Sequence, residues 1–107
     1  PKRLKPDMPP KKSLRLSLAY LTLMRMCKDE KTMDNYNGPF QKAPKKLVPW
    51  YLLRDDKDAF IYFGHWAALG INRQNNCYCL DSGCVWQSKL SALRIEDQKL
   101  FQVDYCE

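Results

Sequence analysis

Ala59-Phe60-Ile61-Tyr62-Phe63-Gly64-His65-Trp66-Ala67 and Cys77-Tyr78-Cys79-Leu80-Asp81-Ser82-Gly83-Cys84-Val85-Trp86 are the two stretches that decide how this 107-residue chain is read. Each is a short run of apolar and aromatic residues that ends in a glycine-containing turn, the pattern of a strand delivering its end to a site. His65 is the only histidine and follows Gly64 directly. A glycine at a strand end lets backbone pass close to a ligand, and the next side chain can project from a rigid element into an open site. A neutral imidazole placed there can ligate a metal or move a proton. The competing reading is a structural histidine packed among aromatics.

Working outward, Ser13 is expected to cap a helix that begins at Leu14, with Leu14, Leu18, Leu21 and Arg25 on the i, i+4, i+7 rhythm of one face. Leu16, Ala19, Leu23 and Met26 line much of the rest, which predicts a helix buried on more than one side by a bulky partner. Arg25 is the odd residue there. It is either a surface arginine with its stem over apolar neighbours or a planar donor fork aimed at phosphate or carboxylate. Before the helix, residues 1–12 hold four prolines and five basic side chains and read as an extended lead-in.

Asp34-Asn35-Tyr36-Asn37-Gly38-Pro39 signals a turn, and the prolines that follow extend a polar surface loop over 28–58. Trp50, after Pro49, is expected to anchor the loop end into the core. Residues 69–76 read as a loop joining the two central strands, and 88–95 with 99–103 as an antiparallel hairpin. The predicted class is therefore α+β: a helix over 13–27, the loop 28–58, and a β region over 59–107 with a mainly antiparallel set of about four strands.

Composition narrows the function classes. Eighteen Lys and Arg against twelve Asp and Glu give +6, and Lys2, Arg3, Lys5, Lys11 and Lys12 against Asp7 leave a net +4 in the first twelve residues. That charge lies in the tail and the loop and not along the aromatic strands, so a nucleic-acid partner is the lesser reading. No stretch has the apolar length to cross a bilayer. A start at Pro1 without an apolar leader suggests a fragment or processed piece with no secretion signal, and five cysteines, an odd count, suggest reduced thiols in a cytoplasm. Cys77-x-Cys79 lacks zinc-knuckle spacing and reads as core packing on one strand face. Walker, dinucleotide and Gly-x-Ser-x-Gly patterns do not occur.

Phe63-Gly64-His65-Trp66-Ala67-Ala68-Leu69, then Leu80-Asp81-Ser82-Gly83-Cys84-Val85-Trp86, then Leu90-Ser91-Ala92-Leu93-Arg94-Ile95-Glu96-Asp97, in that order, closely resemble the C-terminal end of the symmetrical bis(5'-nucleosyl)-tetraphosphatases, which are calcineurin-like metallophosphoesterases. The resemblance implies the C-terminal part of a calcineurin-like α/β sandwich. It implies symmetrical hydrolysis of diadenosine tetraphosphate to two ADP with a dinuclear divalent metal, manganese or cobalt. By resemblance His65 corresponds to the last metal-ligand histidine, Asp81 to a group that orients it or caps the neighbouring turn, and Trp66 and Trp86 to the wall of the substrate site. Leu21-Thr22-Leu23-Met24-Arg25-Met26-Cys27 resembles a segment with two arginines flanking the methionine; Arg25 keeps the second, as a phosphate contact, and Leu23 replaces the first. After Trp86, many members have glycine where this chain has Gln87.

The family's Gly-Asp-x-His-Gly, Gly-Asp-x-x-Asp-Arg-Gly and Gly-Asn-His-Glu motifs do not occur here. The implied partners are thus a dinucleoside polyphosphate and a missing N-terminal part of the same domain, and the chain alone is expected to be inactive. From a different class, the alternative is a noncatalytic basic β-rich module that binds protein or nucleic acid, with His65 purely structural.

Overall fold

The structure is a computed structural model that describes residues 2–3, 5–55 and 58–106. The chain divides into two compact units, Pro1–Asp56 and Lys57–Glu107.

The first unit contains β1 (Lys2–Arg3), helix α1 (Pro10–Leu23), β2 (Met26–Asp29), β3 (Thr32–Met33) and β4 (Val48–Pro49), with antiparallel sheet order β1-β3-β2-β4. The expected boundaries shift. α1 starts at Pro10 and not after Ser13, because a proline in the first turn gives up an amide that has no intrahelical partner and brings a helical φ with it. It ends at Leu23, where Met24 turns extended (φ −66°, ψ 126°), and Met26 and Cys27 instead pair with Pro49 and Val48 across β2 and β4. Arg25 is therefore off the helix, and its carbonyl accepts the Trp50 amide at 2.9 Å.

The described residues of the expected loop 28–58, which leave out 56 and 57, hold more regular structure than their polarity suggests. They carry β3, β4 and 3-10 turns at Phe40–Lys42 and Trp50–Leu53, each preceded by a proline. Gly38 leaves room for the Tyr36 ring, whose hydroxyl would lie 2.6 Å from a Cβ there and donates to the Pro39 carbonyl at 2.7 Å. Tyr51, at 2% exposure, is the deep anchor, with half-buried Trp50 against it edge to face at 6.1 Å.

The helix is not enclosed as the sequence suggested. No residue of α1 is buried among the described residues, and Leu14, Leu18 and Leu21 are 62%, 53% and 83% exposed. Tyr20 fastens it to the sheet: its hydroxyl donates to the Lys31 carbonyl at 2.9 Å and accepts the Met33 amide at 3.2 Å. No helix of the described residues is long and apolar enough to cross a membrane.

The second unit contains β5 (Ile61–Phe63), β6 (Asn72–Gln74), β7 (Cys77–Cys79), β8 (Lys89–Arg94) and β9 (Lys99–Asp104). The stretch 69–76, read as a loop, contains β6, which turns back into β7 through Asn75 and Asn76 at φ 53° and 59°. Asparagine tolerates this left-handed conformation, which matches the twist of a two-residue hairpin. Because β6 intervenes, β7 runs parallel to β5, with Tyr62 opposite Tyr78, and the sheet order is β5-β7-β6. The other pairings between these strands are antiparallel, so the α+β class stands, with more and shorter strands than the four expected. β8 and β9 form the expected hairpin, paired from Lys89↔Asp104 to Arg94↔Lys99. Trp66, Cys77 and Cys79 make the unit's core at 3%, 1% and 0% exposure.

In the first unit, burial and the carboxylates of Asp29 and Asp34 push the Cys27 thiol up from 9.0 to about 11. The folded state holds that proton more tightly, so this contribution to stability is complete below about pH 9 and is lost as pH rises to about 11. Thermal melts at pH 7, 9 and 10.5 should show a smaller alkaline loss in Cys27→Ala than in the parent chain; equal losses contradict the assignment.

Candidate functional site

Beyond β5, the chain turns sharply at Gly64-His65-Trp66. His65 is exposed and takes φ 59°, a left-handed conformation that costs a side chain with a Cβ about 1–2 kcal/mol. Such strain persists only where the surroundings over-determine it, and it concentrates at functional sites. Here the surroundings include Asp81. Its Oδ2 accepts the Trp66 amide at 2.9 Å and its Oδ1 accepts the Gly83 amide at 3.0 Å. One carboxylate thus joins the turn after β5 to the turn after β7, gripping the peptide on the C-terminal side of His65. Asp81 thus caps its own turn and, with its other oxygen, holds the backbone amide that follows the histidine.

A Cβ at Gly64 would meet nothing within 4 Å, so the space beside His65 is open within the chain. The shallow depression there is lined by Tyr62, Phe63, Gly64, His65, Leu80 and Asp81. Trp66 points the other way, buried at 3% exposure with its indole 6.5 Å from the Phe63 ring. Trp86, in the 3-10 turn Cys84–Trp86, is 76% exposed. Gln87 adopts the left-handed conformation that a glycine takes most easily, with φ 64° and ψ 28°, and its amide donates to the Cys84 carbonyl at 3.0 Å. Gln87 thus holds a glycine-like backbone conformation after Trp86, with local strain.

Ser82 ties this turn to the hairpin: its hydroxyl donates to the Lys89 carbonyl at 2.5 Å and lies 2.6 Å from the Ser91 hydroxyl. Burial raises the Cys79 thiol, whose Sγ lies 3.9 Å from the Trp66 carbonyl oxygen, so it is a packing group below the site. The structure brings His65, Asp81, Trp66 and Trp86 into one unit, whereas Arg25 belongs to the other, where its guanidinium donates to Asn37 Oδ1. Tyr62, Phe63 and Leu80 line the depression as well, and the sequence offered them only as members of the two apolar runs.

No group of three or more His, Cys, Asp or Glu side chains able to hold a metal occurs among the described residues. The site offers one exposed imidazole, suited to a borderline divalent ion, while the adjacent carboxylate is committed to backbone amides. It fits as a single contribution to a metal centre.

Comparison with known proteins names the enzymes that share these strand-end turns in sequence. No family model matches the chain. Among curated proteins, it is 42% identical over 92 residues to the symmetrical bis(5'-nucleosyl)-tetraphosphatase of Nitrosomonas europaea, a match covering 83% of this chain and 34% of that protein. It is 40% identical over 106 residues to that of Aromatoleum aromaticum, covering 96% of the chain and 39% of the relative. For Methylobacillus flagellatus the figures are 39% over 93 residues, with 84% and 34% covered. The resemblance seen in the motifs is thus shown: over most of its length the chain is a partial match to the symmetrical bis(5'-nucleosyl)-tetraphosphatases. It spans little more than a third of the length of these relatives.

Two substitutions check the local account by urea unfolding followed through fluorescence. Gln87→Gly is expected to stabilise the second unit by about 1 kcal/mol through relief of the left-handed strain. Asp81→Ala is expected to cost about 2–4 kcal/mol, because it removes two hydrogen bonds to a charged acceptor. A neutral Asp81→Ala contradicts the bridging role.

Proposed function

We propose that the chain is the C-terminal part of a symmetrical bis(5'-nucleosyl)-tetraphosphatase, an enzyme that cleaves diadenosine tetraphosphate to two ADP, and that His65 is its contribution to a divalent metal centre. The observation that carries this reading is the strained, exposed His65 beside a carboxylate-bridged turn, within a chain about 40% identical to proteins bearing that name. Manganese or cobalt, as a dinuclear centre, would polarise the phosphate under attack and lower the pKa of the attacking water. The chain's own residues do the positioning. Asp81 holds the backbone that aims His65, and Trp66 packs beneath that turn to shape the wall from within. Trp86 offers an exposed aromatic face, and Arg25 supplies a donor fork for phosphate, held by Asn37.

A single imidazole does not make a dinuclear centre, so the other ligands come from outside these 107 residues. The exposed stripe Leu14, Leu18, Leu21 supports a missing partner segment, since an unpartnered apolar helix face usually marks an interface. The setting proposed for the whole protein is the cytoplasm.

The chain by itself is expected to show no manganese-dependent hydrolysis of diadenosine tetraphosphate. Exchanged for the matching third of the Nitrosomonas europaea enzyme, it should support hydrolysis to ADP. In that chimaera His65→Ala should cost more activity than Asp81→Asn, itself expected to lose about 10–100-fold. An active isolated chain, or a chimaera indifferent to His65→Ala, overturns the proposal.

A further inference from the structure

The face of the β5-β7-β6 sheet opposite the cysteine core carries an aromatic row of which only Tyr62 reaches the depression described above. Strand alternation places Phe60, Tyr62, Tyr78 and Arg73 together, because Tyr62 is paired with Tyr78 and Tyr78 with Arg73. The Phe60 and Tyr62 rings are 5.4 Å apart at 27°, and the Tyr62 and Tyr78 rings 6.5 Å apart at 30°. The Arg73 guanidinium lies 5.0 Å from the Phe60 centroid and 5.9 Å from that of Tyr78. The rings are half-buried and Arg73 is exposed. Near-parallel rings with a guanidinium over two of them offer stacking partners for another flat π-system.

This surface is continuous with the depression at His65, since Tyr62 belongs to both. Tyr62 is also fixed from its edge, where Gln98 Nε2 donates to its hydroxyl at 3.1 Å. His65 follows Tyr62 by three residues and lies past the turn at Gly64, so their Cα atoms are at most about 10 Å apart. That separation is comparable with the reach of a nucleoside diphosphate from its base to its outer phosphate.

We propose that Arg73, Tyr78 and Tyr62 form a nucleobase platform, on which a purine stacks while the phosphates of the same ligand lie at His65. The phosphate end rests on the function proposed above; the stacking end stands on the sheet alone. Stacking is tolerant of base identity, so purines should bind better than pyrimidines through ring area and not through hydrogen-bond readout.

Titration of the full chain with adenosine and, separately, with inorganic tripolyphosphate, followed by NMR of the aromatic side chains, separates the two ends. Adenosine is expected to shift the ring signals of Phe60, Tyr62 and Tyr78, with uridine weaker. Arg73→Ala should weaken adenosine binding about fivefold or more, the Trp66 amide signal confirming an intact unit. Tripolyphosphate should shift His65 and leave the rings in place. Ring signals indifferent to adenosine, or an Arg73→Ala chain that binds adenosine as the parent does, overturn the platform and reduce the row to a cation–π cap on the sheet. If adenosine moves the rings while tripolyphosphate leaves His65 unmoved, the platform stands and the phosphate reading falls.

Discussion

The Asp81 carboxylate, accepting the Trp66 amide at 2.9 Å and the Gly83 amide at 3.0 Å, is the interaction on which the second unit's candidate site depends. It closes together two turns that each contain a left-handed residue, His65 at φ 59° and Gly83 at φ 79°. A left-handed residue with a Cβ costs about 1–2 kcal/mol, whereas a hydrogen bond to a charged group contributes about 1.5–3 kcal/mol. The opposing magnitudes are close, so the turn holds its shape with the carboxylate and loses the advantage without it. Ser82 passes the constraint on to the hairpin through Lys89 and Ser91, which is how a two-stranded element, marginal alone, becomes part of the site's support.

The first unit is organised differently. Its buried residues, among them Met26, Cys27, Thr32, Met33, Pro49 and Tyr51, come from short strands and a proline-led turn and not from the helix. The helix is held by the Tyr20 hydroxyl bridging Lys31 and Met33, while its leucine stripe remains in solvent. That imbalance fits a chain spanning little more than a third of the relatives it matches.

Much of this was legible in the sequence. The two apolar runs ending at Gly64 and at Gly83 are β5 and β7, and the terminal hairpin is β8 with β9, because alternation and turn residues agree locally there. The helix was legible in kind but not in its limits: periodicity continued through Met26, yet pairing with Pro49 and Val48 drew Met26 and Cys27 into a strand. β6 was hidden because Asn72-Arg73-Gln74 is polar, and its identity rests on the left-handed Asn75-Asn76 turn and its partner strand. At the site, the motif order marked His65 and Asp81. That the carboxylate grips the Trp66 amide depends on two strand ends lying side by side, a parallel register no local pattern encodes.

The most direct measurement is amide hydrogen exchange at Trp66 and Gly83 in the full chain, compared with Asp81→Ala. Both amides sit in turns and should nonetheless exchange slowly together in the parent chain, and lose protection together when the carboxylate is removed. If both exchange freely in the parent, or if Asp81→Ala leaves their protection unchanged, the carboxylate does not hold the turn that presents His65.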